Sequence, residues 1–304
     1  RWFFLKPLMP RAYRDAFHRD GYVAIEDFLS AETLAAIKAE IKSLREQAAN
    51  QKDATHAALP EARQLSQGDT RTQRILLDAH TQASLPHLFS VSRSKALKNY
   101  VGYAGGRWRR PLAYLQRIRN GKKSSGADPQ KIIHSDTFHP TVKAWLFLED
   151  VTPAQGPFTY AAGSQAYSKK RLAWEYERST LPAGELDSYS RKGSLRADPE
   201  DLATMGMQSA AGLTAKAGTL VIANTNGFHG RGQADDNASR LEMWFYSRHA
   251  PFTPWPGIGL SLWTRLEEAV LPPLWRRRDK AAAKKGRKAS WHPVPLTDML
   301  DGIE

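Results

Sequence analysis

Hydrophobic and polar positions divide the chain into a helical N-terminal part and a longer part with the period of β-strands. Residues 11–48 predict a helix, a strand and a second helix. Ser30 is a good N-cap for that second helix, in which Leu34 and Ile37 follow at helical spacing. From about residue 98 to 248, short runs bounded by Gly and Pro are typical of a β-sandwich or barrel.

The strand-like part contains six predicted strands. They cover residues 113–119, 132–136, 142–148, 158–161, 219–224 and 241–247. Residues 49–75 are polar and aperiodic, and we expect a mobile loop that could lie over the site. Residues 166–207 predict a long polar and aromatic insertion. We therefore expect one domain over residues 1–250, with its core at about 98–248, and an extension over residues 251–304.

Composition is that of a globular protein. The chain has 304 residues, 41% of them hydrophobic and 25% charged, which suffices for a packed core. No apolar run approaches the ~20 residues of a membrane span. With no cysteine, a disulfide framework and a thiolate site are excluded. These features fit a cytoplasmic protein.

His134 and Asp136 are the residues whose spacing suggests chemistry most directly. Side chains two apart on an extended strand share one face, so this His-x-Asp offers an imidazole nitrogen and a carboxylate oxygen to one point. A second imidazole would complete the set of two histidines and one carboxylate that holds Fe(II) and leaves coordination positions open. His229, which follows a hydrophobic strand, is the candidate third ligand.

Arg240 opens the next predicted strand, eleven residues after His229. Its planar guanidinium can hold a carboxylate with two parallel hydrogen bonds. Arg231 is too close to His229 to span a co-substrate, so Arg240 is the preferred clamp and Arg248 the next candidate. His-x-Asp, His and Arg in this order indicate an oxygenase that uses Fe(II) and 2-oxoglutarate.

Three motifs accompany these residues. Residues 17–30 read as a strand that leads into a helix, and residues 145–158 have the form W-x-x-L-x-D-x-T-x-x-x-G-P. In these segments the chain resembles the phytanoyl-CoA dioxygenase family, and the resemblance extends over about residues 14–248. Residues 162–165, Ala-Gly-Ser-Gln, stand where that family usually has Pro-Gly-Ser-His.

The short strands and the resemblance together imply a mainly β fold with flanking helices, built on a double-stranded β-helix (a jelly-roll, cupin-like core). By position, the resemblance implies that the iron is bound by three catalytic residues: His134, Asp136 and His229. It implies that Arg240 binds the distal carboxylate of 2-oxoglutarate. Gln116 and Trp145 are further candidates for cofactor binding. O2 is the oxidant, and ascorbate is a candidate auxiliary reductant.

A basic patch over residues 107–123 lies next to this predicted site, with seven Lys or Arg and no acid. Arg117 and Arg119 share one face of a predicted strand, while Gln116 lies on the other. With Arg231, these two arginines are candidates for binding an anionic substrate by bidentate contacts. An exposed, charged strand would explain the pattern equally well.

The C-terminal part has a second basic cluster. Residues 276–288 carry eight basic residues and one acid, flanked by Trp275 and Trp291. This composition is typical of a segment at a bilayer surface, so we expect contact with an anionic membrane through residues 275–291, at the inner face of the cytoplasmic membrane. A nucleic acid would also accept the charges, and a solvated tail is the alternative.

The substrate class stays open at this stage. The resemblance suggests an acyl-CoA, whose phosphates would suit the basic residues. The basic, tryptophan-flanked segment favours an anionic lipid-linked sugar, such as the Kdo sugar (3-deoxy-D-manno-oct-2-ulosonic acid) of lipopolysaccharide. A non-catalytic barrel that binds lipid or nucleic acid is an alternative of another class, disfavoured by the intact candidate ligands. Oxidative demethylation of nucleic acid is disfavoured by the flanking motifs.

Overall fold

The computed structural model describes residues 1–50, 59–122, 126, 128–247, 252–258 and 262–303. Its helices are α1 (Trp2–Leu5), α2 (Arg11–Asp20), α3 (Ala31–Asn50), α4 (Pro86–Ser92), α5 (Lys95–Ala104), α6 (Lys169–Thr180), α7 (Pro199–Thr204), α8 (Leu262–Ala283) and α9 (Leu296–Leu300). Its strands are β1 (Tyr22–Ile25), β2 (Ala62–Gln67), β3 (Thr70–Leu76), β4 (Leu112–Asn120), β5 (Val142–Phe147), β6 (Phe158–Tyr160), β7 (Ala211–Leu213), β8 (Leu220–Asn224), β9 (His229–Arg231), β10 (Ser239–Ser247) and β11 (His292–Val294).

Two antiparallel sheets form the centre of the described structure. The larger has the strand order β1-β8-β5-β10-β4-β3-β2-β11, and the smaller has the order β7-β6-β9. Consecutive strands of the chain are rarely neighbours in the larger sheet, as expected for a jelly roll. The predicted class, a mainly β double-stranded β-helix with flanking helices, is confirmed.

Alternation along each central strand separates two cores. On β5, Val142 and Ala144 join a core shared with the N-terminal helices, whereas Trp145 and Phe147 face the smaller sheet. Residues two apart point to one side, so the helices cover one face of the larger sheet and the smaller sheet covers the other. The metal-ligand candidates lie on the second side.

The N-terminal prediction is confirmed by α2, β1 and α3. The Ser30 hydroxyl accepts the backbone N–H of Thr33 at 3.1 Å and so caps α3. Ile37 and Ile41 of this helix are fully buried in the core between the N-terminal helices and the larger sheet, which we call the helix-side core. The strands predicted over residues 113–119, 142–148, 158–161, 219–224 and 241–247 also form, within one or two residues of their predicted ends.

Two local predictions are wrong. Residues 49–75 are not one loop, because β2 and β3 form a hairpin that continues the larger sheet; residues 51–58 lie outside the described part. Polar side chains of the hairpin are buried on both faces, Thr72 on one and Gln73 on the other, which removes the alternation that marks a strand. Residues 132–136 are not a strand either, and only His134 makes isolated bridges, to Arg196 and His229.

The C-terminal part folds back onto the sheet. β11 pairs with β2, and Met299 and Leu300 of α9 are fully buried in the helix-side core. Arg63 of β2 forms an ion pair with Asp279 at 2.7 Å and donates to the carbonyl of Trp291 at 2.7 Å. Residues beyond 291 thus complete the sheet edge.

Candidate metal centre

Backbone pairing brings the two histidines together. The N–H of His134 donates to the carbonyl of His229 at 2.8 Å, and the N–H of His229 donates back at 2.9 Å. The N–H of Asp136 donates to the carbonyl of Thr225 at 2.9 Å. The segment that follows the first histidine is therefore tied to the loop that precedes the second, although neither tie belongs to a regular sheet.

The three side chains converge on one point. Oδ1 of Asp136 lies 3.9 Å from Nε2 of His134 and 3.8 Å from Nε2 of His229. One ligand atom from each residue lies within 4.8 Å of the others, and this is the only such cluster within the described part of the chain. Separations of this size suit three ligands on one face of an Fe(II) ion.

Both imidazoles are fixed by their second nitrogen. Nδ1 of His134 lies 2.7 Å from the carbonyl oxygen of Ile132, and Nδ1 of His229 lies 2.9 Å from that of Gly227. A carbonyl can only accept, so each Nδ1 carries the proton and each Nε2 presents a lone pair to the metal. The tautomers are thereby set before a metal binds.

The protonation states also suit a metal. Burial lowers the pKa of His229 to about 4, and burial with the neighbouring His229 ring lowers the pKa of His134 well below its ordinary value. Burial by itself would raise the pKa of the Asp136 carboxyl, but the Lys143 ammonium, 2.7 Å from Oδ2, holds that pKa below its usual range. Near pH 7 the site therefore offers two neutral imidazoles and one carboxylate, the forms that bind metals.

The loop before His229 is held in place by the Gly-Ser motif and by α6. The N–H of Phe228 donates to the Ser164 hydroxyl at 2.8 Å. The fully buried Arg171 donates to the carbonyl of Asn226 at 2.7 Å and to that of Ser164. The substitution of Gln for the usual histidine at position 165 leaves this support intact.

A cavity of about 290 Å³ opens beside the ligands. Four cations line it: Arg74, Lys143, Arg231 and Arg240. Gln116, Trp145, Trp244 and Trp291 also contribute to its wall. The cavity combines a metal-binding corner with positive charge and flat aromatic surfaces.

The three candidates for co-substrate binding meet in this cavity. Arg240 is buried; its Nε donates to Glu242 at 3.0 Å, and its Nη1 donates to the Gln155 carbonyl at 3.3 Å and to that of Gly156. Gln116 is hydrogen-bonded to the same Glu242. Trp145 lies two residues beyond Lys143 on β5. The clamp role of Arg240 remains a prediction; the alternative clamp, Arg248, lies outside the described residues.

The three arginines predicted to bind substrate separate. Arg231 lines the cavity and pairs with Asp128 at 2.6 Å. Arg117 and Arg119 lie on the opposite face of β4, where they donate to carbonyls of the C-terminal segment. The structure does not bring these two to the metal site, because their donors are occupied behind the sheet. Lys123 of the same patch lies outside the described residues.

Among the lysine, arginine and tryptophan residues of the cavity wall, sequence reasoning missed four. Lys143 and Trp244 could have been found by alternation along their strands. Lys143 lies two residues before Trp145, and Trp244 lies four residues after Arg240, so each shares a face with a predicted site residue. Arg74 was missed because its strand was predicted to be a loop. The sequence pattern around Trp291 favoured a bilayer surface, because only the return of the C-terminal segment places this residue against the cavity.

Comparison with known protein families gives one match. The family model for phytanoyl-CoA dioxygenase (PhyH) matches residues 17–240, which is most of the chain. The matched segment includes the three candidate metal ligands and ends at the candidate clamp. No curated protein matches the chain.

Comparison with solved structures gives similar chains, of which three are described. HygX from Streptomyces hygroscopicus, with nickel and 2-oxoglutarate bound, is 18% identical, with 81% of this chain and 90% of that chain covered and a TM-score of 0.46. EctD from S. alaskensis, with bound Fe, is 19% identical, with 79% and 76% covered and a TM-score of 0.46. The non-heme alpha-ketoglutarate-dependent carbocyclase SnoK from nogalamycin biosynthesis is 16% identical, with 84% and 90% covered and a TM-score of 0.48.

Proposed function

The chain belongs to the phytanoyl-CoA dioxygenase family of Fe(II)- and 2-oxoglutarate-dependent oxygenases, and on that premise we propose that it hydroxylates an unactivated C–H bond of an anionic, lipid-linked sugar. The candidate substrate is the Kdo sugar of lipopolysaccharide. Bound Fe(II) supplies the oxidation, in which O2 and 2-oxoglutarate are consumed and succinate, CO2 and the hydroxylated substrate are formed.

The chain's own residues prepare the site for this reaction. His134, Asp136 and His229 would hold the metal, and the two histidines line the cavity. Arg240 is the proposed partner of the distal carboxylate of 2-oxoglutarate, with Gln116 beside it. Trp145 lines the cavity and is proposed to help exclude water.

Arg74 is the observation that favours an anionic substrate. The other three cavity cations are already paired, Lys143 with Asp136, Arg231 with Asp128 and Arg240 with Glu242. Arg74 donates from Nε to Gln116 at 2.5 Å, and no described carboxylate lies within ion-pair distance of it. One positive charge in the cavity is therefore available for a group that the protein does not supply.

The guanidinium of Arg74 also contacts two aromatic rings. Its Cζ lies 3.6 Å from the ring centre of Trp244 and 4.7 Å from that of Trp291. Stacking of this kind orients the fork of donors towards a carboxylate or phosphate at little cost in entropy. The tryptophan rings that line the cavity suit the apolar face of a sugar.

Mass spectrometry of lipopolysaccharide tests the proposal. Cells that contain the protein should yield an inner core heavier by one oxygen atom than cells that lack it, and the purified enzyme should make the same change on Kdo-bearing lipid. Identical core masses, with an acyl-CoA hydroxylated by the purified enzyme instead, would replace the sugar by the acyl-CoA alternative.

A substitution at Arg74 tests the role of the free charge. Arg74→Gln should lower coupled hydroxylation of the anionic substrate, while the slow decarboxylation of 2-oxoglutarate without substrate continues. Arg71→Gln is the matched control, since Arg71 lies on the same strand, is exposed and points to the other side. A rise in the KM for 2-oxoglutarate in Arg74→Gln would assign this arginine to the co-substrate and withdraw the argument for an anionic substrate.

A further inference from the structure

We infer that the outer face of α8, together with residues 252–258, is the surface by which the protein lies on an anionic lipid bilayer. This inference rests on the proposed function, because a lipid-linked substrate would reach the enzyme at a bilayer. It moves the expected membrane contact from the basic run towards the preceding apolar residues.

Apolar side chains follow one side of α8 towards solvent. Leu262, Leu266, Val270 and Leu274 are spaced four residues apart, which places successive members on neighbouring positions of one helix side. They are between 37% and 59% exposed, and Trp263 beside them is 59% exposed. A soluble helix normally turns such residues towards a core.

The preceding segment enlarges this surface. Phe252, Trp255 and Ile258 are each more than half exposed. Isolated exposed apolar residues are ordinary, but Trp255 and Ile258 line one cavity with Trp263 of α8, and a contiguous apolar group marks an interaction site. Tryptophan is the residue preferred at the headgroup level of a bilayer, because its ring is apolar and its N–H is polar.

The other side of α8 is packed, so the exposed stripe is not the helix's missing core. Glu268 is buried and pairs with Arg93 at 2.8 Å. Leu271 and Trp275 pack against the cluster that contains Trp145 and Trp244, two residues of the cavity wall. The helix is therefore anchored beside the cavity, and its outer surface lies next to the site that a lipid-borne sugar would enter.

Charge identifies the occupant as an anionic bilayer. The outer side of α8 continues into exposed cations at Arg277, Lys280 and Lys284. Cations beside an apolar stripe fit lipid, whose acyl chains take the apolar residues and whose headgroups take the charges. A nucleic acid would leave the apolar stripe unexplained. Among the described residues, no helix is long and apolar enough to cross a membrane, so α8 would lie in the interface.

Vesicle sedimentation of the full chain tests the inference. Vesicles of phosphatidylglycerol and phosphatidylethanolamine should bind it, and vesicles of phosphatidylcholine should bind it much more weakly. Arg277→Gln with Lys280→Gln should weaken binding about 30-fold, since each basic residue near an anionic surface contributes about 1 kcal/mol. Leu266→Gln with Val270→Gln should weaken it roughly tenfold or more, because these side chains would no longer enter the apolar layer.

Matched pairs on other helices are the controls. Leu172→Gln with Tyr176→Gln changes two exposed apolar residues, also four apart, on α6, and Lys38→Gln with Lys42→Gln changes two exposed cations on α3. Neither control should alter vesicle binding. The inference is overturned if the α8 pairs behave like the controls, or if the apolar pair instead abolishes a dimer that the parent forms in solution.

The readouts separate this inference from the proposed function. The α8 variants should retain hydroxylation of a soluble, delipidated Kdo substrate, because they leave the cavity unchanged. Vesicle binding without any hydroxylation of Kdo would support the membrane-binding surface and contradict the proposed substrate. Hydroxylation of Kdo without vesicle binding would support the proposed substrate and contradict the membrane-binding surface.

Discussion

The two faces of β4 carry similar polar residues and use them differently. On one face Gln116 lines the metal cavity and bonds Arg74 and Glu242. On the other face Arg117 is buried and donates to the carbonyl of Met299 at 2.8 Å, so its charge holds the C-terminal segment. We call the face with Gln116 the front face and the face with Arg117 the back face. Arginine on the back face is structural, whereas the cations of the front face come from other strands.

The difference shows that a basic patch acquires its role from what covers it. The back face of β4 is covered by the C-terminal segment, whose Met299 and Asp301 carbonyls accept hydrogen bonds from the guanidiniums of Arg117 and Arg119. The front face is covered by the small sheet only in part, which leaves a cavity. Changes on the front face should alter catalysis, and changes on the back face should alter stability.

The largest front-face effect is expected from the metal ligands. His134→Ala, Asp136→Ala and His229→Ala should each reduce Fe(II)-dependent succinate formation to background while leaving the fold largely intact. Each change removes one of the three donors that converge on the metal position. Succinate release measures the activity, and the visible absorption of the Co(II)-substituted protein measures metal binding independently.

His80→Ala serves as the control for these variants, because its imidazole is exposed and outside the cluster. It should behave as the parent in both measurements. Full activity in any one of the three ligand variants would remove that residue from the ligand set.

The next effect concerns the co-substrate. Arg240→Ala should raise the KM for 2-oxoglutarate strongly, because the loss of one partner of a buried charge pair costs about 3–5 kcal/mol. Arg240→Lys should recover only part of this, since an ammonium cannot reproduce the two parallel donors. Initial rates of decarboxylation over a range of 2-oxoglutarate concentrations provide the measurement. An unchanged KM in both variants would place the clamp elsewhere.

Much of this front face could be predicted from the sequence. The alternation in β4, β5 and β10 indicated which residues share a side, and a His-x-Asp with a later His limited the metal ligands to three positions. The ligands converge although residues 132–136 are not a strand, because backbone hydrogen bonds between His134 and His229 replace the sheet register. The pattern predicted three residues whose side chains the structure brings together, through a local geometry that was wrong.

The rest depended on contacts between distant parts of the chain. The hairpin of β2 and β3 has no alternation of hydrophobic and polar residues, since one face of the hairpin lines the cavity and the C-terminal segment covers part of its other face. Arg74 and Trp291 are more than 200 residues apart and meet only because β11 pairs with β2. No local pattern encodes such a pairing, so the part of the wall that favours an anionic substrate was invisible in the sequence.

Acid should destabilise the metal-free protein through protonation of His229, one of the candidate metal ligands. The folded pKa of His229 is about 4, below its ordinary value of about 6.5, so the unfolded chain takes up a proton first as pH falls. Stability contributed by this neutral ring is present above about pH 6.5 and decreases by about 3 kcal/mol as pH approaches 4. Urea unfolding at several pH values should show a smaller slope in His229→Asn than in the parent or in His80→Asn; equal slopes would contradict the assignment.

The smallest effect on catalysis is expected on the back face, where substitutions should alter stability alone. Arg117→Ala should lower the free energy of unfolding by about 2–4 kcal/mol, because the carbonyls of Met299 and Asp301 lose their charged donor in a buried position. Arg119→Ala should lower it less, since its guanidinium is partly exposed. In both variants the folded fraction should hydroxylate substrate at the parental rate, as measured by succinate and product formed per folded molecule. If Arg117→Ala instead kept its stability and lost coupled turnover while uncoupled decarboxylation continued, this arginine would bind substrate after all, and the C-terminal segment would have to move away from the back face of β4 during the reaction.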